Sequence, residues 1–350
     1  MDSDYDLSER KRKILLKSVE EYIQNAVPIT SKSVQEHFLK DISTATLRNE
    51  LSALEAMGFL RQLHTSGGRV PTTKAYRYYV NGMLKNVKFK KSDLDMVREN
   101  FCIKCSNLNS IMQNVAQTIS RVTNYPTVAV MNDLKKLVIT DIKLIPLIDY
   151  SALMLITTSG GVINNTIKIS SDTTEDDCIN CAKLLNDSFK GKCIDYLIDN
   201  IETIANENEK TLDAYKEIFH SVVSLLKELS TPVQKGSTKL LNLPEYSSVE
   251  KAKEIIDFFE DEDKLKNVVC AEENLSVSIG KENTVEELKD CAVIKAPIKI
   301  GDQTIGSVGV IGPQRLDYAF VAGAIKFVVD ELEKERRLET KQNKDNKGEN

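Results

Sequence analysis

No run in the 350 residues approaches the roughly 18 apolar positions of a membrane-spanning helix; SALMLI at 151–156 is among the longest. The N-terminus, MDSDYDLSERKRK, opens acidic and carries no apolar stretch, so no secretory signal is expected. Histidine is scarce: His37, His64 and His220 lie far apart. No Ser-His-Asp set, HExxH motif or paired carboxylates assemble around them, which argues against an enzyme. Seven cysteines, an odd number, point to reduced thiols in a cytoplasm. Gly306, Gly309 and Gly312 lack both GxGxxG order and the Lys-Ser/Thr of a phosphate loop, and they sit in a strand pattern, so close strand packing is expected there. No repeat of solenoid period is present.

The pairs Cys102/Cys105 and Cys178/Cys181 would offer zinc four thiolates if folding brought them together. Both lie in helical patterns, however, and 73 positions separate Cys105 from Cys178. They are expected to be small core residues, as are Cys193, Cys270 and Cys291, and neither a metal nor a cofactor is expected.

The absence that decides most is of acid. Residues 56–92 contain no Asp or Glu and eight Lys or Arg, in a chain with 52 acidic residues. Residues 42–91 sum to +7, nine basic groups against Glu50 and Glu55, while the whole chain is −5, so the remainder is −12. One basic segment in an otherwise acidic protein is the footprint of a nucleic-acid-binding unit. With 41% hydrophobic and 28% charged residues, the rest is ordinary globular material for two or three domains.

The basic segment parses into elements. Ser43 is a good N-cap, and Leu47, Leu51, Leu54 and Met57 recur at helical spacing. Gly58 suits the left-handed end of that helix. Phe59–Leu63 reads as a strand, Gly67-Gly68 as a turn, Arg69-Val70 as the returning strand, and Pro71 as its close. Upstream, Ser8 caps a helix over 8–25 carrying Leu15, Val19, Tyr22 and Ile23 on one face, and Thr30 caps a short helix with Val34 and Phe38 inward. Downstream, Thr72 caps a helix over 73–85 with Tyr76, Tyr79, Val80 and Met83 inward. Three helices and a hairpin make a winged helix-turn-helix. Its third helix presents Thr44, Ala45, Arg48, Asn49 and Ser52 opposite the apolar face. Arg48 suits guanine and Asn49 adenine. Ser43, Thr44, Thr46 and Ser52 are short donors near phosphate or base edges; His64, Thr65, Ser66 and Arg69 belong to the wing. Arg69 and Lys74 are expected on backbone phosphates, or Arg69 in a minor groove entered by the wing.

Beyond a basic linker at 86–92, a long helical pattern runs over 93–122, bent near Cys105–Asn107. Strand-rich runs follow at 127–131, 137–145, 152–157 and 162–169, with a turn at Ser159-Gly160-Gly161. Helical pattern resumes from Thr174 to about Leu229, through Ile201, Leu212, Ile218, Val222 and Leu225, and ends at Pro232. A helix at 248–266, strands at 275–279, 292–300 and 304–311, and a helix at 314–336 complete the chain. The expected fold class is α+β multidomain: a winged-helix domain at 1–85, one α/β domain with antiparallel sheet from 93–172 and 246–336, a mostly helical insert at 173–245, and a disordered tail at 337–350.

LSERKRKILLKSVEEYI, ATLRNELSALEAMGFL and HTSGGRVPTTKAYRYYV resemble the N-terminal region of the HrcA heat-inducible transcription repressors. The resemblance continues through LNLPEYSSVEKAKEII and ENTVEELKDCAVIKAPIKIGDQTIGSVGVIGPQRLDYAFV. It departs at Gly67 and Ala75, where the family more often has Ala and Gly. The resemblance implies a GAF-like split domain and an inserted dimerisation domain. It also implies repression of chaperone operons of the groEL/groES and dnaK type through the double-stranded CIRCE inverted repeat. The repressor would be a homodimer whose activity the GroEL chaperonin modulates. Apolar positions of the insert are the expected dimer interface. The alternative is a winged-helix repressor controlled by a small-molecule effector in the GAF-like domain.

Overall fold

A computed structural model describes residues 7–37, 39–63, 68–84, 108–131, 134–207, 213–271, 273–300 and 303–345, together with 95, 97 and 98. Three helices open the chain: α1 (Glu9–Asn25), α2 (Ser31–His37) and α3 (Thr44–Ala56). Ser8 caps α1 by accepting from Lys11 N, and Ser43 caps α3 by accepting from Thr46 N. Leu47, Leu51 and Leu54 of α3 are fully buried with Ile14, Leu15 and Val19 of α1 and Val34 of α2. Met57, expected in that core, is 36% exposed because it is the C-cap and the chain turns away at Gly58, φ +78°.

Strands β1 (Leu60–Gln62) and β2 (Arg69–Pro71) pair antiparallel, with Pro71 inside the returning strand opposite Leu60. The turn at 64–67 lies outside the described residues. Arg69 also exchanges both backbone hydrogen bonds with Ile29, at 2.7 and 2.8 Å. A Cβ on Gly68 would stand 2.8 Å from the Ile29 oxygen, so only glycine allows that approach. Helix α4 (Thr73–Leu84) follows. Thr72 does not cap it through its side chain; its hydroxyl donates to the Gly58 and Phe59 oxygens and ties α4 to the α3–β1 turn.

After α5 (Leu108–Thr123) the chain builds two separate sheets. The expected linker and most of the expected helix over 93–107 lie outside the described residues. The larger sheet uses β3 (Thr127–Val130), β7 (Val233–Lys235), β8 (Ser276–Ile279), β9 (Cys291–Ile300) and β10 (Gln303–Pro313), in the order β7-β3-β10-β9-β8, antiparallel throughout. One face packs Ile294, Ile298 and Val308 with residues of α5 and of α11 (Tyr318–Asp345). The other packs Val128, Val293 and Ile311 against Phe258 of α9 (Val249–Glu260) and Val269 of α10 (Glu262–Val269). The single helix expected at 248–266 is two, because Asp261 breaks it and caps α10 by accepting from Lys264 N. Gly309 lies under α10, where a Cβ would meet Val269 at 3.0 Å, and Gly306 lies against Val130 and Met112. These glycines serve packing, as expected. Helix α11 continues to Asp345 rather than ending at 336, since ELEKERRLETK is rich in strong helix formers.

The smaller sheet is a meander of β4 (Ile139–Leu147), β5 (Ser151–Thr158) and β6 (Gly161–Lys168). These strands were expected beside the others in one domain; among the described residues they pair as strands with one another and with none of the larger sheet, so the strands of 93–172 fall in two sheets. Helices α6 (Glu175–Phe189), α7 (Ile194–Glu207) and α8 (Asp213–Leu229) belong with this meander. Thr174 and Asp177 form a capping box at the start of α6. Asn186 of α6 accepts from Ile142 N at 2.9 Å and donates to Ile142 O at 2.7 Å, closing the β4 edge. Strand β7, within the segment expected to be helical insert, is already back in the larger sheet.

Candidate nucleic-acid interface

Helix α3 is held from below by its leucines, which leaves its opposite side to solvent. Thr44, Ala45, Arg48, Asn49 and Ser52 are exposed, and Arg48 enters no ion pair among the described residues. Ser43 and Thr46 are occupied by the helix cap, their hydroxyls 2.9 Å apart. The expected wing residues His64, Thr65 and Ser66 lie outside the described residues.

The remaining basic residues divide sharply. Arg69 donates from Nε to Glu55 Oε2 at 2.7 Å and from Nη2 to Ser52 Oγ at 2.9 Å, and its side chain is only 16% exposed. It clamps the wing strand to α3. Lys74 donates to the Met57 oxygen at 2.8 Å and lies over the Phe59 ring, 4.5 Å from its centroid, completing the C-terminus of α3. Arg77 reaches away from the reading head. It pairs with Glu282 through two nitrogens and donates to the Val277 oxygen at 2.7 Å. Thr73 donates to Gln314 at 3.1 Å, and Tyr76 packs on Tyr318. Burial pushes the Tyr76 phenol far above its ordinary range. Helix α4 therefore mortises the winged domain onto the larger sheet.

Both acids of the basic segment have structural partners: Glu55 holds Arg69, and Glu50 meets Lys11 of α1 at 3.2 Å. The first turns of α1 add Arg10, Arg12 and Lys13, all exposed, which a charge count over 42–91 leaves out. The signal for them was the run RKRK beside the Ser8 cap. His37 Nδ1 lies 2.9 Å from the buried Glu21 carboxylate, tying α2 to α1.

The thiols behave as core in part. Cys178 and Cys181 are buried on α6, where burial pushes the Cys181 thiol up to about 12. Cys291 is buried beside the Tyr246 hydroxyl at 3.1 Å. Cys270, expected in the core, is exposed because it follows the last turn of α10. Cys102 and Cys105 lie outside the described residues. Among the described residues no helix is long and apolar enough to cross a membrane.

Two family models match. "Winged helix-turn-helix transcription repressor, HrcA DNA-binding" covers residues 6–83, and "HrcA protein C terminal domain" covers 109–321. The chain is 30% identical over 341 residues to the heat-inducible transcription repressor HrcA of Ruminiclostridium cellulolyticum, covering 94% of this chain and 97% of that protein. It is 32% identical to the HrcA of Clostridium tetani, covering 94% and 95%. A crystal structure described as a hypothetical protein shares the fold, with a TM-score of 0.77 at 24% identity, covering 94% of this chain and 98% of that one. A DNA-binding repressor is not an enzyme, and the exposed side of α3 lies within the matched DNA-binding model. The chain belongs to the HrcA family of heat-inducible transcription repressors.

Proposed function

We propose that this repressor binds the CIRCE inverted repeat as a homodimer, silences chaperone operons of the groEL/groES and dnaK type, and has its activity modulated by the GroEL chaperonin. The observation that carries the DNA contact is the contrast within the basic segment. Arg48 and Asn49 stand exposed, while Arg69, Lys74 and Arg77 are engaged inside the protein. Arg48 and Asn49 read bases, Thr44 and Ser52 support them, and His64, Thr65 and Ser66 carry the wing. Ser43 and Thr46 orient the helix through its cap. Arg69 and Lys74 act chiefly by fixing the wing and the end of α3, with phosphate contact secondary.

An inverted repeat needs a two-fold dimer holding two recognition helices at a set spacing. The apolar positions expected to form that interface, Ile201, Ile218, Val222, Leu225 and Leu229, are buried within their own subunit, and Leu212 lies outside the described residues. The outer face of the meander supports the role better. Ile145 and Leu147 are 43% and 46% exposed, and half-buried Leu153 and Leu155 lie beside them on β5. Ile148 and Tyr150 extend the apolar surface around the hairpin tip.

Arg48→Ala is expected to weaken binding to an inverted-repeat operator by about 1–3 kcal/mol. A mobility-shift series over several salt concentrations, with and without chaperonin, measures this. Unchanged affinity at every salt concentration would remove Arg48 from the readout. An operator affinity indifferent to chaperonin would remove the modulation.

A further inference from the structure

The end of the recognition helix is bonded to the start of α4. The Thr72 hydroxyl donates to the Gly58 and Phe59 oxygens, and Lys74 donates to the Met57 oxygen at 2.8 Å. The next turn of α4 is bonded to the larger sheet. Arg77 donates from Nε to Glu282 Oε1 at 2.8 Å, and from Nη2 to Glu282 Oε2 and to the Val277 oxygen on β8, the last at 2.7 Å. Glu282 ends the 3₁₀ turn Gly280–Glu282 that follows β8. Its Oε2 also accepts from Ile279 N at 2.9 Å, so the carboxylate is held by its own turn as well as by the guanidinium.

The seat is close as well as bonded. Gly280 has φ +57°, and a Cβ there would stand 2.8 Å from both Thr73 Oγ1 and Gln314 Nε2. The missing side chain lets the first turn of α4 lie flush on the larger sheet, where Thr73 donates to Gln314 at 3.1 Å. A guanidinium fork on a carboxylate fixes direction as well as distance. Hydrogen bonds therefore run from α3 through α4 to the larger sheet, and they carry the orientation of the reading head with them.

That link bears on the spacing of two half-sites. One added base pair moves a half-site about 3.4 Å along the duplex and about 35° around it. A head fixed on its seat resists that displacement, and a head on a loosened seat follows it. We propose that Arg77, acting through Glu282, is a positioning residue that sets the half-site spacing this repressor accepts. The inference rests on the reading of the chain as a homodimer on an inverted repeat.

The test is a mobility-shift series with the full-length protein at one salt concentration. The DNAs are an isolated half-site and inverted repeats whose spacer is unchanged or altered by one or two base pairs. Wild type should lose at least about tenfold in affinity at two base pairs from its optimum. In Arg77→Met, in Glu282→Gln and in the double variant that loss should shrink to under about threefold, with half-site affinity unchanged. Arg77→Lys, which keeps the charge but not the fork, should fall between. A misfolded variant would instead weaken binding to every DNA alike, the half-site included, and the milder Glu282→Gln and Arg77→Lys then carry the test. A wild-type spacing profile in all the variants, or effects of Arg77→Met and Glu282→Gln that add in the double variant, would overturn the proposal. So would loss of half-site affinity in folded Arg77→Met, which would place Arg77 on the DNA. Wild type binding an inverted repeat no better than a half-site would remove the dimeric reading itself, and this inference with it.

Discussion

The two sheets are buried in different ways. In the larger one, β10 is buried at every position from Ile305 to Pro313, and β9 nearly so, because helices cover both faces. In the meander, β5 alternates half-buried and buried residues along its whole length, since α6 and α8 cover only one face. A sheet covered on both sides spends its apolar residues on its own fold. One covered on a single side keeps an apolar face in reserve, and Leu153, Leu155, Ile145 and Leu147 occupy that face here. On the proposed reading, the larger sheet serves stability and the smaller one association.

The largest expected effect breaks the comparison if it fails. Ile294 is fully buried at the centre of the larger sheet, so Ile294→Ala should cost about 2–5 kcal/mol in urea denaturation. Next, Asn186→Leu would strand the Ile142 amide and carbonyl on the β4 edge. A loss of about 1–3 kcal/mol is expected, confined by amide exchange to the meander and its helices. Leu155→Ala sharpens the contrast directly. It should cost under about 1 kcal/mol of subunit stability, since the side chain is only half-buried, while sedimentation equilibrium shows weaker self-association. A stability loss equal to that of Ile294→Ala, with association unchanged, would mean the meander face is not an interface.

The smallest effect is at the capping box of α6. Hydrogen bonds from the Thr174 hydroxyl and backbone hold the Asp177 carboxyl below its ordinary 3.8. A depressed folded value gives a contribution that is present above about 3.8 and lost as pH falls through the folded value. Amide exchange at the first turn of α6 should therefore quicken on acidification below that point, and the change should vanish in Asp177→Asn.

Local elements were largely legible in the sequence. Ser8, Ser43 and Gly58 mark helix ends by their own backbone chemistry, and the strand runs at 127–131, 292–300 and 304–311 carry enough β-branched residues to be recognised. Sheet membership was not legible. Apolar alternation in 137–169 and near-continuous burial in 292–313 both read as strand, and only spatial pairing separates the meander from the larger sheet. Of the candidate site, the exposed Arg48 and Asn49 followed from helical periodicity alone. The fates of Arg69, Lys74 and Arg77 did not, because partners at Glu55, Met57 and Glu282 are 14, 17 and 205 positions away.

What the sequence determined by itself was therefore the helix–hairpin unit, its basic charge and its outward side. These depend on caps, on a 3.6-residue period and on composition, all of which act within a few residues. Tertiary structure alone decided which cations remain exposed, which sheet keeps an unpaired apolar face, and how α4 joins the winged domain to the rest. Those outcomes come from long-range pairing, in which a guanidinium left unpaired near an apolar interior is costly and takes the nearest carboxylate the fold brings to it.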